Sequence, residues 1–579
     1  MMDNNRTFVF MIILAFVFVG INVYFMYNGK SVKNVTDVTN GTSEAKDTNI
    51  ELETTRETVF ESLYEQKDAL EDNVIYENQN ILVEISRING EIVNAYVKDS
   101  FLEKNQNNKY NIVNGKLNNN SLKLKFGSWL NGKTISELTG GKESYSFEKV
   151  DNKFIFSTKI KDLKNGNSYK IDKIYTFIEN ENIFKFDLKI SNDKNEQMNF
   201  DNTDVAFSIG WGPNLNSDGQ KFNKRYDMYS YFNGKKVEKV DFDNKLVKKS
   251  TVPGFGEKYR QGGESWIARD DRYLTAIIYP DSQNYKYFFD YKDSQKNNYY
   301  CGFERYTENS TLDSSFYIYI GPKIRSIVKK YDNFKDFKLI DTNFSKIVEY
   351  KFFGFGDVMG VILTFIYKLV KNYGLAIIIL TVLIKLLLSP LTHKSMESQE
   401  KMSKLQPKLK ELQEKYKDKP EILNRETMNL YKKEGINPFG GCFPLLLQMP
   451  LLLAMYQLLD KMVELKGAGF LWIKDLSLPD AVVNFDFIIP FVNISSFNIL
   501  PIVMVATQVF SSLIMPDMQS NKQAKMMMWM MPVLFFFMFY NVSSGLVLYW
   551  TIMNILNIAQ QLLKNSMKNK GNKKILKKA

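Results

Sequence analysis

Cysteine and histidine are nearly absent: Cys301, Cys442 and His393 are the only such residues in 579. Two cysteines cannot build a disulfide framework or a cysteine-rich zinc site. One histidine excludes multi-histidine metal centres, and His393 lies outside the large polar region, so Ser/His/Asp catalysis is excluded there as well. Long hydrophobic runs are scarce between residues 30 and 350 and dominate after about 355. The mean hydropathy of −0.27 therefore averages two regimes. With 44% hydrophobic and 14% aromatic residues, the chain as a whole is not disordered.

The net charge is +12, and its placement is informative. Segment 394–434 carries +3, segment 516–525 carries +1, and the tail 564–579 has seven lysines and no acid. Nucleic-acid binding is one reading of a basic protein. The apolar runs beside these segments favour the other, the positive-inside bias of a membrane protein.

Thr7–Tyr27 has no charge and is long enough to cross a hydrocarbon core of roughly 30 Å. Bulky Tyr24, Phe25, Met26 and Tyr27 favour an uncleaved signal anchor over a cleaved signal peptide. Further spans are expected at Leu375–Leu391, Phe443–Leu459, Leu500–Met515, Met526–Tyr540 and Gly545–Leu563. The charge rule puts the hairpin 394–434 and the tail in the cytoplasm, and an even count puts the N-terminus there too. Residues 28–350 are then extracytoplasmic. Val358–Val370 is too short to span and reads as a helix in the outer interface.

Residues 31–70 read as a tether with little structure. From about 75 the pattern has period two. Ile81, Val83 and Ile85, then Asn89-Gly90, then Val93, Ala95 and Val97 predict a hairpin. Leu122, Leu124 and Phe126 alternate with lysines. Phe154, Phe156, Thr158 and Ile160, then Asn165-Gly166, then Tyr169 and Ile171 predict another hairpin. Phe184, Phe186, Leu188 and Ile190 continue the pattern, and Phe316, Ile318 and Ile320 close it. Many half-buried strands predict a large antiparallel β-sandwich. No carboxylate spacing in it singles out a catalytic pair. Gly354-x-Gly356-x-x-x-Gly360 misses the dinucleotide-binding pattern and follows no strand.

Lys385 sits inside the second span, where a lysine costs about 2.5–3.5 kcal/mol on insertion scales. It either snorkels toward Thr392 or faces a wet cavity. Gln448, Gln457, Thr507, Gln508, Ser511, Ser512, Thr551, Asn554, Asn557 and Gln560 are polar groups in other spans. Singly, each is ordinary helix–helix glue. Several share the depth of Lys385, which a water-filled indentation open to the cytoplasm would explain.

Asn437-Pro-Phe-Gly-Gly-Cys-Phe-Pro-Leu-Leu-Leu-Gln-Met-Pro450 resembles the third-span signature of the YidC/Oxa/Alb membrane protein insertases. Ser543-Ser-Gly-Leu-Val-Leu-Tyr-Trp550, with Asn554 and Gln560-Gln561, resembles their last span. Ser389-Pro-Leu-Thr392 and Met402-x-x-Leu-Gln-Pro-Lys408 resemble the end of the second span and the start of a cytoplasmic hairpin. The anchor and the β-rich domain ending in Gly321-Pro-Lys323 are similar to the Gram-negative form of this family. The resemblance is strong over 350–565 and looser before it.

The resemblance implies a polytopic α-helical membrane protein of six spans, five forming an insertase core, with a large extracytoplasmic antiparallel β-sandwich domain. It implies no enzyme activity, cofactor or metal. A cytoplasm-open polar groove would receive hydrophilic segments of nascent membrane proteins and release their apolar helices into lipid, alone or with the Sec translocon. The groove positions would be Lys385, Thr381, Gln448, Gln508, Ser512, Asn554 and Asn557. Lys385 departs from the family's usual arginine and loses its planar fork. The greasy slide would comprise Met449, Pro450, Leu453, Phe535, Tyr549 and Trp550, with Trp550 a second departure where tyrosine is common. Met402, Leu405, Leu409, Leu412 and Tyr416 form a helical stripe in the hairpin, which turns at Lys419-Pro420. The lysine tail, which suggests no fold of its own, would touch ribosomes or anionic lipid; DNA is not expected.

The implied organisation is a cytoplasmic N-terminus 1–6, an anchor 7–27, a tether 28–74, a β-sandwich 75–346 and an interfacial helix 347–373. A second span 374–392, a hairpin 393–436, spans three to six over 437–563 and a tail 564–579 follow. The alternatives are a channel or transporter with a β-rich receptor domain, and a membrane-anchored enzyme on envelope glycans. The first needs intramembrane acids or broken helices, and the second a carboxylate pair.

Overall fold

The computed structural model describes residues 60–63, 73–101, 109–114, 120–194, 200, 204–212, 228–232, 234–240, 266–281, 285–293, 298–306, 311–350, 354–417, 419–435, 443–489, 494–514 and 522–576. The expected N-terminus 1–6, the anchor 7–27, most of the tether and Asn437–Cys442 of the third-span signature lie outside these residues. The chain divides into two compact units that part at residues 348 and 349.

The first unit is mainly β, with every described strand pair antiparallel and a few short helical turns such as Ile135–Thr139 and Arg325–Val328. Its ten-stranded sheet runs in the order Phe60–Ser62, Lys153–Asp162, Ser168–Phe177, Ile183–Asn192, Thr311–Pro322, Leu274–Pro280, Ile267–Asp270, Met228–Phe232 and Val237–Val240. Ser146–Val150 pairs off this path with Lys153–Asp162. Two four-stranded sheets complete the unit, and residues of all three sheets share one hydrophobic core. Alternation explains the packing: along Lys153–Asp162, Phe154, Phe156, Thr158 and Ile160 are buried. The turn after that strand uses Gly166 at φ +70°, a conformation that glycine adopts without strain.

Two expectations need correction here. The tether is not structureless throughout, because Phe60–Ser62 is a strand on Lys153–Asp162 with Phe60 buried in the core. Edge pairing uses backbone bonds, so a polar stretch needs only one well-placed aromatic to join. In the hairpin of strands Ile81–Ile85 and Ile92–Lys98, the register shifts between Glu84 and Ile85. That bulge buries Ile92 and leaves the expected Val93 only half-buried.

The second unit is helical. Its helices are α1 (Phe355–Val370), α2 (Tyr373–Lys415), α3 (Pro420–Lys433), α4 (Phe443–Lys461), α5 (Ile499–Ile514), α6 (Lys522–Phe539) and α7 (Ser544–Leu576). Helix α1 buries Gly356, Met359, Gly360, Leu363 and Ile366 and exposes Phe355, Val358, Val361, Phe365 and Leu369. The Gly354–Gly360 spacing has a packing origin. A Cβ on Gly356 would lie 2.7 Å from the Tyr350 carbonyl oxygen, and one on Gly360 would lie 3.1 Å from Leu458.

Helix α2 runs unbroken through Pro390 and Pro407. Its 43 residues extend roughly 65 Å at 1.5 Å per residue, about twice a hydrocarbon core. One rod is therefore both the expected second span and the first arm of the hairpin. The lysine tail also departs from expectation, since α7 continues to Leu576. Lysine is a good helix former, and an existing helix supplies the nucleus. Among the described residues, two helices, Tyr373–Lys415 and Ser544–Ser566, are long and apolar enough to cross a membrane; Ile499–Ile514 and Met530–Phe539 are apolar but shorter.

Candidate functional site

Helix α7 packs against α2, α4 and α5, which makes it the centre of the helical unit. Polar side chains on α2, α5 and α7 meet along it. Lys385 is only 7% exposed, and its Nζ donates to Oδ1 of Asn557 at 2.5 Å. One turn back on the same face of α2, Thr381 is buried and donates to the Ile377 carbonyl at 2.7 Å. Toward the other end, Gln560 Nε2 donates to Thr392 Oγ1 at 3.3 Å. Asn554 Nδ2 lies 3.5 Å from both the Met504 carbonyl and Thr507 Oγ1 on α5. The two chain-distant expectations, Lys385 and Asn557, are thus in direct contact.

Other expected groove positions are placed differently. Ser512 is half-buried and turns back to the Gln508 carbonyl at 3.0 Å. Gln508 Oε1 is shut off from solvent without a hydrogen-bond partner, as is Gln457 Oε1 on α4. Gln448 is half-buried. These amide oxygens are acceptors left open inside an apolar bundle, where an unmade bond costs about 1–3 kcal/mol.

The expected slide residues divide into two groups. On α4, Met449 and Leu453 are half-buried and Pro450 is exposed. Phe535, Tyr549 and Trp550 are all buried. Trp550 stacks on Phe535 at 5.3 Å and on Phe539 at 5.9 Å, which joins α6 to α7. Its indole Nε1 is buried without a partner. In this structure the three aromatics therefore pack between helices rather than presenting an open surface.

The hairpin of α2 and α3 carries the expected stripe. Met402, Leu405 and Leu409 are buried, and Leu412 and Tyr416 are half-buried. Lys408 Nζ pairs with Glu434 Oε1 at 2.8 Å, tying the end of α3 to α2 and holding the Glu434 carboxyl below its ordinary range. Lys564 of α7 reaches Glu400 of α2 at 3.4 Å. Sequence reading missed both ties. The only signal for them was the presence of acids among the hairpin's lysines. Among the described residues no three metal-ligating side chains cluster.

Comparison with known proteins covers most of the chain. Residues 365–572 match the family described as 60Kd inner membrane protein, and residues 76–357 match the YidC periplasmic domain. The chain is 32% identical over 426 residues to the membrane protein insertase YidC of Treponema denticola, covering 69% of this chain and 70% of that one. It is 38% identical over 319 residues to the membrane protein insertase YidC of Chlorobium luteolum, covering 54% of each. Among solved structures it is matched to an active YidC insertase crystal structure, at 17% identity and a TM-score of 0.37 over 84% of this chain and 92% of that one.

Proposed function

Because the chain belongs to the YidC family of membrane protein insertases, we propose that its α2–α5–α7 polar seam takes up the hydrophilic segment of a nascent membrane protein. The family is not one of enzymes, and the chain is an inner membrane protein with a β-rich periplasmic domain and a helical C-terminal part.

The observation that carries the reading is the buried Lys385–Asn557 contact between α2 and α7. An ammonium inside an apolar bundle is costly, and a neutral amide answers only part of its demand. The open acceptors of Gln508 and Gln457 lie in the same bundle. A polar, often acidic, substrate segment would supply the missing anion and donors. Its crossing barrier falls because attraction to a cation strengthens as the local dielectric drops.

In this reading six spans cross the membrane: residues 7–27, the first half of α2, then α4, α5, α6 and α7. The N-terminus, the α2–α3 hairpin and the end of α7 are cytoplasmic. Met449, Pro450 and Leu453 on α4 face the departing apolar helix, and the aromatic joint of Phe535, Tyr549 and Trp550 opens to extend that surface. The hairpin stands at the mouth of the seam. Nascent membrane proteins are the substrates, and the Sec translocon and the ribosome are partners to test.

The test is to deplete the protein and follow newly made small membrane proteins by protease accessibility. Loss of their protected fragments is expected. Normal insertion in depleted cells would sink the proposal.

A further inference from the structure

Between α4 and α5 lies a two-stranded antiparallel hairpin, Ala481–Ile489 with Ile494–Asn498. Residues 481–498 hold one charged residue, Asp486, among many apolar ones. Val482 is 47% exposed and Val483 53%. The register shifts between Ala481 and Val483, so Val482 lies in a bulge; beyond it Val483 and Asn484, in continuous register, point to opposite faces and both are exposed. Phe497, 42% exposed, is the cross-strand partner of Val483. Just before the hairpin, Leu471 and Trp472 are exposed, with Leu471 held at φ +53°. That left-handed backbone strains a leucine, and the surrounding structure must hold it in place.

The hairpin's base is firmly built. The Asn498 amide N–H donates to Tyr540 Oη at 3.2 Å, Asn498 Nδ2 donates to the Tyr540 carbonyl at 2.7 Å, and the Tyr540 hydroxyl donates to the Ser496 carbonyl at 2.9 Å. Asp480 Oδ2 accepts from the Leu500 N–H at 2.7 Å and from Trp472 Nε1 at 3.1 Å. An isolated two-stranded hairpin is marginal in water. Here a rigid base presents the exposed apolar side chains of Val482, Val483 and Phe497, and such a surface marks an interaction site.

The position of the hairpin identifies the occupant. The loop before it caps the N-terminal ends of α2 and α7. The Phe470 ring fills the space over Gly374, and the Ser544 and Gly545 N–H groups donate to the Leu478 and Leu476 carbonyls. The hairpin thus sits at the end of the bundle where α2 begins, the far end from the α2–α3 turn. Its exposed face continues onto α5, where Ile502, Ala506, Phe510 and Leu513 form one exposed stripe at spacings of 4, 4 and 3. A helix of 16 residues spans about 24 Å, short of the roughly 30 Å hydrocarbon core.

We propose that this hairpin, with Leu471 and Trp472, lies in the headgroup boundary of the bilayer and anchors the outer end of α5, so that lipid covers its exposed faces. A nearly uncharged apolar ribbon beside a tryptophan has the chemistry of an interfacial anchor. It makes up the length that α5 lacks. The assignment to the outer leaflet rests on the span arrangement proposed above; the lipid contact does not.

The test uses full-length chains with Cys442→Ser and a single new cysteine, Val483→Cys or Phe497→Cys, with Lys474→Cys as an exposed control. Cys301 is buried, with its thiol pushed up to about 12, and stays unlabelled. Each chain carries a bimane label in phosphatidylethanolamine–phosphatidylglycerol liposomes. Lipids with a nitroxide near the headgroup are expected to quench the labels at 483 and 497 several-fold more than the label at 474, and iodide to quench them less. Iodide access equal to that at 474 overturns the proposal, as does protection from both quenchers, which would indicate cover by protein. The readout does not measure insertion, so it stands or falls apart from the insertase reading.

Discussion

A lysine ammonium enclosed by apolar helices needs an answering group, and here the answer is the amide of Asn557 rather than a carboxylate. An amide oxygen solvates the charge without cancelling it, so the site keeps its attraction for an anion. Lys385→Glu is therefore expected to cut insertion of an acidic-tailed substrate by about tenfold or more, equivalent to about 1.4 kcal/mol or more. Lys385→Arg keeps the charge and is expected to preserve insertion. Protease protection of the translocated tail in each variant is the measurement. Parent-like insertion by Lys385→Ala would mean that the charge has no role. A second residue gives a pH signature. Glu464, in the short 3-10 turn Val463–Leu465 that follows α4, has Oε2 shut off from solvent without a partner, and burial raises its carboxyl from 4.5 to about 7. The unfolded chain releases this proton first, so between these values the folded state holds more protons. Its contribution to stability is full below about pH 4.5 and is lost as pH rises through about 7, by up to about 3 kcal/mol. Thermal midpoints in detergent from pH 5 to 8 are expected to show this decline, and Glu464→Gln to flatten it.

At the scale of elements, α2 joins two tasks that the sequence suggested were separate. Pro390 removes one backbone donor, but the turns on either side keep their bonds and Thr392 Oγ1 donates to the Ser389 carbonyl at 3.0 Å. The hairpin is thus rigidly coupled to Lys385 through one rod. Deleting 393–436 is expected to abolish insertion, whereas deleting about 75–315 leaves it largely intact. Complementation by each deletion, with its abundance checked, is the measurement. A β-domain deletion that is dead at normal abundance would contradict this division. The strands themselves were legible because one buried face imposes period two on Phe154–Ile160 and Phe184–Ile190. The strand Phe60–Ser62 was not, because its pairing is carried by backbone groups that leave no side-chain pattern.

Across the whole molecule, the sequence showed where polar groups share a depth but not which of them touch. Lys385 stood out as a charge inside an apolar run, and Asn557 as an amide at matching depth on another. Their contact spans 172 residues, and no local pattern encodes it. The burial of Trp550 against α6 was hidden for the same reason, as were the Lys564–Glu400 tie and the Asp480 clamp. The central claim is that the hydrophilic segment of a substrate enters the seam between α2, α5 and α7. Photo-crosslinking of a ribosome-arrested nascent membrane protein to benzoylphenylalanine at Gln508 or Asn557, compared with Ile502 or Leu513 on the exposed face of α5, tests it most directly. The account predicts adducts of the hydrophilic segment at Gln508 and Asn557 and few at Ile502 and Leu513. Adducts of that segment at the exposed face, with none at Gln508 or Asn557, would contradict it.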